Sequence, residues 1–295
     1  MADGPEVQQA GEVRHRFLKT GWNSQSIAIV DQDDRIEWEL TCMDAWALPD
    51  GGIVYAQGRQ VVRLDADKRA LWEYSLPGNG SNHACQPLPG GGFLIGYNAA
   101  PDEHYAIELD KNSKETTRVR LELAGCRDIG HAFRQFRKTP EGTYLGVVMT
   151  MNKTFEWDAA GKVVRTFPNG HFAALRLPNG NTMISGKKRG GTGGFLVEYD
   201  KDANVIWEFG EDDIDRLNLK ISMICAFQVL KNGNLVITNT RHGTGYGSGD
   251  FPHVFEITRD KSRVVWQVNA SKWKCINVIQ ILDEPGDVYK RELIR

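Results

Sequence analysis

A short turn recurs six times along this chain. Leu48-Pro49-Asp50-Gly51, Leu88-Pro89-Gly90-Gly91, Thr139-Pro140-Glu141-Gly142, Leu177-Pro178-Asn179-Gly180, Leu230-Lys231-Asn232-Gly233 and Asp283-Glu284-Pro285-Gly286 each lie between apolar stretches. Where Pro is present it sets φ at a corner, and Gly supplies a positive φ near the end. Alternating apolar residues on both sides make each turn a hairpin. A second hairpin follows in most units. "VVRLDADKRALWEYS", "AIELDKNSKETTRVRLEL", "TFEWDAAGKVVRTF", "FLVEYDKDANVIWEFG" and "VFEITRDKSRVVWQV" share a strand, a polar turn and a strand, with Trp72, Trp207 and Trp266 in matching places. A period of about 40 to 50 residues is that of propeller blades. One four-stranded sheet leaves its faces bare, whereas six placed radially cover one another.

The ends of the chain carry complementary deficits. The last unit stops after its inner hairpin, and "QSIAIVDQDDRIEWEL" near the start is an outer hairpin without an inner one, with Trp38 in the blade-tryptophan place. The expectation is an all-β, six-bladed β-propeller whose ring is closed by one blade shared between N- and C-terminal strands. Residues 16–295 then form a single domain behind a mobile segment, 1–15. No Pro/Ser-rich linker argues for a division, and 295 residues suit one domain of this class. "DDIDRLNLK", from Asp212 to Lys220, reads as a short helix or irregular turn, with an acidic start that suits a helix N-terminus.

Charge narrows the partners. Lys and Arg number 36 against 38 Asp and Glu, a net −2, so nucleic acid is not an expected partner. No apolar run is long enough to span a bilayer. "MADGPEVQQA" lacks the basic-then-apolar start of a signal peptide. Met1 therefore either begins a cytoplasmic chain or replaces the removed leader of a periplasmic or secreted one. The five cysteines include no CxxC and read as free thiols.

"GHFAALRLPNGNTMISG" and "FLVEYDKDANVIWEF" resemble the repeats of PQQ-like and arylsulfotransferase-like β-propeller proteins. "VIWEFGEDDIDRLNLKISMICAFQVLKNGNLVITNTRHG" resembles a stretch common in bacterial PQQ-binding-like propeller repeat proteins. The resemblance runs from about Gln25 to the C-terminus and implies the fold rather than an activity. Quinoproteins of this kind usually have eight blades and a fuller tryptophan signature, so PQQ is not an expected cofactor here. Arylsulfotransferases share a His ahead of an inner strand, which implies sulfuryl transfer by a His nucleophile as one alternative.

Propeller topology brings two sets of residues to one mouth, here called the top. Asp44, His83, His131, His171, Cys225 and Asn277 precede the inner strands, with Cys42, Cys275 and Arg127 nearby. Tyr97, Asn98, Asn152, Lys153, Lys187, Lys188, Arg189, Arg241, His242 and Tyr246 follow the second strands. His15, His104 and His253 are assigned to surface or loop positions. A funnel of this composition suits a polar or anionic small molecule: a sugar, uronate, sulfate or phosphate. His83, His131 and His171 are the candidate catalytic groups, for lyase, epimerase or hydrolase chemistry. Asp44, Tyr97, Asn98, Arg127, Lys187, Arg241, His242 and Asn277 are the candidate binding groups. The competing reading of each His is a hydrogen bond to a neighbouring blade. A metal held by the three His with Cys42, Cys225 and Cys275 has no HExxH or CxxC behind it, so no metal is expected. The absence of GxSxG, Walker and GxGxxG motifs argues against serine hydrolase, kinase and dinucleotide chemistry. A scaffold working through its rim is the remaining alternative.

Overall fold

The turns that define the repeat close alike. The amide of Gly51 donates to Leu48 (3.0 Å), Gly91 to Leu88 (3.1 Å), Gly142 to Thr139 (3.0 Å), Gly180 to Leu177 (2.9 Å) and Gly233 to Leu230 (2.9 Å). These glycines sit at φ between +81° and +88°, where a Cβ is disfavoured. The outer hairpins use another device. One Asp at the head of the turn (Asp31, Asp65, Asp110, Asp158 or Asp200) accepts amides from the turn on its own carboxylate. Thr258 does the same with its hydroxyl in the remaining outer hairpin.

A computed structural model of the chain describes residues 7–21, 27–40, 43–130, 132–187, 194–240, 252–270 and 276–295. The protein is an all-β, six-bladed β-propeller. Blade 1 has strands Asp44–Ala47, Ile53–Gln57, Gln60–Leu64 and Ala70–Ser75. Blade 2 has Ser81–Pro87, Phe93–Ala100, Glu103–Leu109 and Glu115–Leu121. Blade 3 has Phe133–Lys138, Tyr144–Val148, Lys153–Trp157 and Val163–Phe167. Blade 4 has Ala174–Arg176, Thr182–Lys187, Gly194–Tyr199 and Val205–Phe209, and is followed by the helix α1, Glu211–Arg216. Blade 5 has Ile224–Val229, Leu235–Asn239, Val254–Ile257 and Val264–Ala270. Blade 6 places the C-terminal strand Val278–Ile281 innermost and adds Phe17–Thr20, Ile27–Val30 and Ile36–Leu40 from the N-terminus.

The shared blade is thus one strand plus three, where the sequence pattern suggested two plus two. Asp283–Gly286 is not a hairpin turn, and Leu282 instead donates its amide to Arg16 at 2.7 Å. The chain then leaves the sheet through a 3-10 turn, Val288–Lys290. A second difference lies at the N-terminus. Residues 7–11, expected to be mobile, form a fifth strand on blade 5, paired with Val264–Ala270 from Val7↔Ala270 to Gly11↔Trp266. That strand covers Val265 and buries Val7. "VQQAG" is short and mostly polar, so its pattern gave little sign of a strand.

The apolar core is divided among the blade junctions. Six clusters of buried side chains each join two neighbouring blades. A seventh, Phe172, Met223 and Cys225 with Met149 against them, belongs to no blade layer. Side-chain oxygens of Gln and Asp tie the inner strands together. Gln280 Oε1 accepts the amide of Ala47 (2.9 Å), Gln86 Oε1 that of Lys138 (2.7 Å) and Gln228 Oε1 that of Ile281 (2.8 Å). Asp44 Oδ2 accepts from Cys85 (3.0 Å) and Gln135 Oε1 from Ala174 (2.9 Å). Five junctions therefore share one kind of clamp. On the outside, Trp72 and Trp207 donate Nε1 to Lys111 and Arg259 carbonyls of the next blade.

Candidate functional site

Four inner strands carry a β-bulge near their entry. His83 and Ala84 together face Gly96, Arg134 and Gln135 face Val147, and Cys225 and Ala226 face Thr238. On blade 4 the His171 amide donates to the Ser185 carbonyl and the Ser185 amide to that of Ala173, so Phe172 and Ala173 share one partner. A bulge inserts one residue and re-aims a side chain. The first residues of these bulges are His83, Arg134, Phe172 and Cys225. Each stands five places before the first residue of its hairpin turn: Leu88, Thr139, Leu177 and Leu230. Met43 holds that place on blade 1, and on blade 6, where no hairpin turn follows, Asn277 stands six places before Asp283.

This register corrects the sequence reading of the histidines. Only His83 holds the bulge position. His171 stands one residue earlier, ahead of the blade 4 inner strand. Its ring packs edge-on against Phe172 at 4.5 Å. His131 lies outside the described residues. Arg134 takes the blade 3 position, and it was concealed inside "FRQFRK", which reads as plain strand.

The surroundings of Arg134 define the site. Its Nη1 donates to His83 Nδ1 at 3.2 Å, and its Nε lies 3.3 Å from the Met149 thioether. Because a guanidinium has no acceptor, His83 Nδ1 must offer its lone pair, which places a proton on Nε2. No carboxylate lies within ion-pair distance of Arg134 among the described residues. Burial pulls the guanidinium below its ordinary value, opposed by the nearby Cys225 and Asp128. A thioether is a weak acceptor and an imidazole only one. The result is a largely desolvated cation whose Nη2 has no hydrogen-bond partner among the described residues. Beside it stands the apolar cluster of Phe172, Met223, Cys225 and Met149.

Three residues further along the same strand, Arg137 belongs to a separate buried group. Asp44 is shared by Arg137 (3.7 Å) and Arg295 (3.3 Å). The Arg295 guanidinium lies over the Trp46 ring, 3.8 Å from its centroid, and donates to Gln280 and Ala45. Trp46 Nε1 donates to the Cys85 carbonyl at 2.6 Å. Burial raises the Asp44 carboxyl despite both guanidiniums, and lowers Arg295 to about 9. Asp44 is therefore committed to holding the tail in the ring.

The other candidates divide as follows. The Tyr97 hydroxyl donates to the Pro77 carbonyl, and Asn98 Oδ1 is bonded to His104 Nδ1 at 3.0 Å; both residues are buried. They are not brought together with Arg134. Arg127 is exposed, and Asn277 is half-buried with its amide on the Thr20 carbonyl. Lys187 ends the second strand of blade 4. Arg241, His242, Lys188, Arg189, Tyr246, Cys42 and Cys275 lie outside the described residues. His104 and His253 are buried, and His15 bridges Glu256 (2.9 Å) and Asp283 (3.2 Å), so none of the three is a free surface group. Cys85, Cys126 and Cys225 are buried and form no disulfide among the described residues. Among the described residues no group of three His, Cys, Asp or Glu is placed to hold a metal. None of their helices is long and apolar enough to cross a membrane.

No family model matches the chain, and no curated protein matches it. A protein of unknown function from Bacteroides caccae is similar in structure, with TM-score 0.80 and 22% identity over 90% of this chain and 98% of that one. Virginiamycin B lyase from Staphylococcus aureus aligns with TM-score 0.53 and 11% identity over 89% and 98% of the two chains. The Neurospora crassa Pan2 WD40 domain aligns with TM-score 0.51 and 8% identity over 93% and 92%. At these identities the likeness is one of fold.

Proposed function

We propose that the protein binds a small anionic molecule at its top mouth, with Arg134 as the anchor. The observation that carries this is a largely desolvated guanidinium with no carboxylate at ion-pair distance among the described residues. A buried charge left unpaired is costly, and an anionic ligand supplies the missing partner. An Nη edge presented to a carboxylate, sulfate or phosphate allows a bidentate contact. Uronates, sulfate esters and phosphates from the sugar-related range all carry the required charge, as do simpler carboxylates. The likeness to PQQ-like and arylsulfotransferase-like repeats supports the fold behind this reading and does not select a reaction. A fold shared with both a lyase and a WD40 domain does not select one either.

The acidic groove beside α1, lined by Glu208, Glu211, Asp212 and Asp213, has the wrong sign for such a ligand. The test is a thermal-shift panel of carboxylates, sulfate esters and phosphates against neutral analogues of equal size. Anions are expected to raise the melting temperature of the wild type and to lose that effect in Arg134→Gln. Equal shifts from the neutral analogues, or an undiminished shift in the variant, would contradict the reading.

A further inference from the structure

The mouth is chemically two-sided. His83 and Arg134 project from blades 2 and 3, and Phe172, Met223 and Cys225 from blades 4 and 5. Met149 joins the sides: its sulfur meets the Arg134 Nε, and it packs against the apolar cluster. Resting on the anion-binding reading above, we infer that the ligand is an amphipathic monoanion, a carboxylate head on an apolar body. The head pairs with Arg134, and the body lies over Phe172, Met223 and Cys225.

The apolar cluster bears on this choice because it stands apart from the six inter-blade layers. Phe172, Met223 and Cys225 are less than one-tenth exposed, yet no blade junction takes them into its core. A polyhydroxylated ligand placed there meets two thioethers, a phenyl ring and a thiol. Those groups leave its hydroxyls without good partners, and each such loss weakens binding. An apolar body has nothing to leave unpaired, and removing it from water is favourable. Methionine also adapts to irregular apolar shapes, which suits a ligand-facing surface better than a fixed core layer.

Isothermal titration of the full chain with three six-membered-ring probes separates the possibilities. Cyclohexanecarboxylate carries head and apolar body, glucuronate the head on a polyol, and cyclohexylmethanol the body without charge. We expect cyclohexanecarboxylate to bind at least roughly tenfold more tightly than either of the others. Arg134→Gln weakens it by a similar factor, and Met223→Ser weakens it severalfold without changing glucuronate binding. Glucuronate binding as tightly as cyclohexanecarboxylate overturns the amphipathic assignment and leaves the anion reading standing. Cyclohexylmethanol binding as tightly, no binding of either carboxylate, or an unaffected Arg134→Gln overturns both. The comparison of probes on the wild type decides the matter even if Met223→Ser fails to fold.

Discussion

Arg134 is held where folding alone would not favour it. Its neighbours along the strand, Phe133 and Phe136, are buried in the layer between blades 2 and 3, while the bulge turns the guanidinium between them toward a thioether and an imidazole. Replacing an uncompensated buried charge with an apolar side chain of similar length commonly stabilises a protein. Arg134→Met is therefore expected to raise the ligand-free unfolding free energy by about 1–3 kcal/mol in urea titration. A loss of stability instead would mean that the cation serves the fold. His15 is the opposite case. Its burial disfavours the charge, but hydrogen bonds and attraction from Asp283 and Glu256 outweigh that and raise its pKa to about 9. A base raised above its ordinary 6.5 contributes stability fully below that value and loses it as pH climbs through about 9. His15→Gln should thus destabilise the protein at pH 6 and much less at pH 10, measured by chemical denaturation. An equal deficit at both values would show that the charge is not what matters.

At the scale of strands and turns, the inner-strand glutamines are the repeated part most open to test. Gln280 both accepts from the Ala47 amide and donates to the Ala47 carbonyl across the closing junction. Gln280→Leu leaves that buried amide and carbonyl unmatched and should cost about 1–3 kcal/mol. Gln86→Leu should cost a comparable amount at its own junction. Stability unchanged in both would show that apolar layers alone hold neighbouring blades. These glutamines were legible as a fixed place: Gln86 and Gln228 stand two residues before the first turn residue, in "CQPLP" and "FQVLK", and Gln280 three before Asp283, in "IQILD". So were the hairpins, because a Gly at positive φ or an Asp capping its own turn leaves a local mark. The bulges leave no such mark. Each adds one residue without changing composition, so counting from strand entry grouped His83 with His171 and passed over Arg134. Residues that meet only through a bulge, as His83 and Arg134 do from 51 positions apart, are set by pairing between strands rather than by either strand's own pattern.

The molecule as a whole closes on a tail as well as on a strand. Arg295 reaches Asp44 and the carbonyl of Ala45 on blade 1, and its own carbonyl accepts from Arg137 of blade 3. One residue thus joins the C-terminal segment to blades across the ring. Arg295→Ala removes half of the compensation for Asp44 and should cost about 3–5 kcal/mol, partly recovered by adding Asp44→Asn. A small loss, or no recovery in the double variant, would show that the tail is not an electrostatic closure. The six-blade plan and the shared blade were readable from complementary strand deficits at the two ends. The division within that blade was not, because a C-terminal turn sequence can end a strand as readily as it can start a hairpin.

The central claim is that ring geometry turns the Arg134 guanidinium toward a ligand and commits Arg137 and Arg295 to the fold. It is tested most directly by following arginine side-chain Nε–H resonances while a carboxylate is added. The account predicts a saturable shift at Arg134, with Arg137 and Arg295 unmoved. A silent Arg134, or shifts shared alike by all the arginines without saturation, would contradict it.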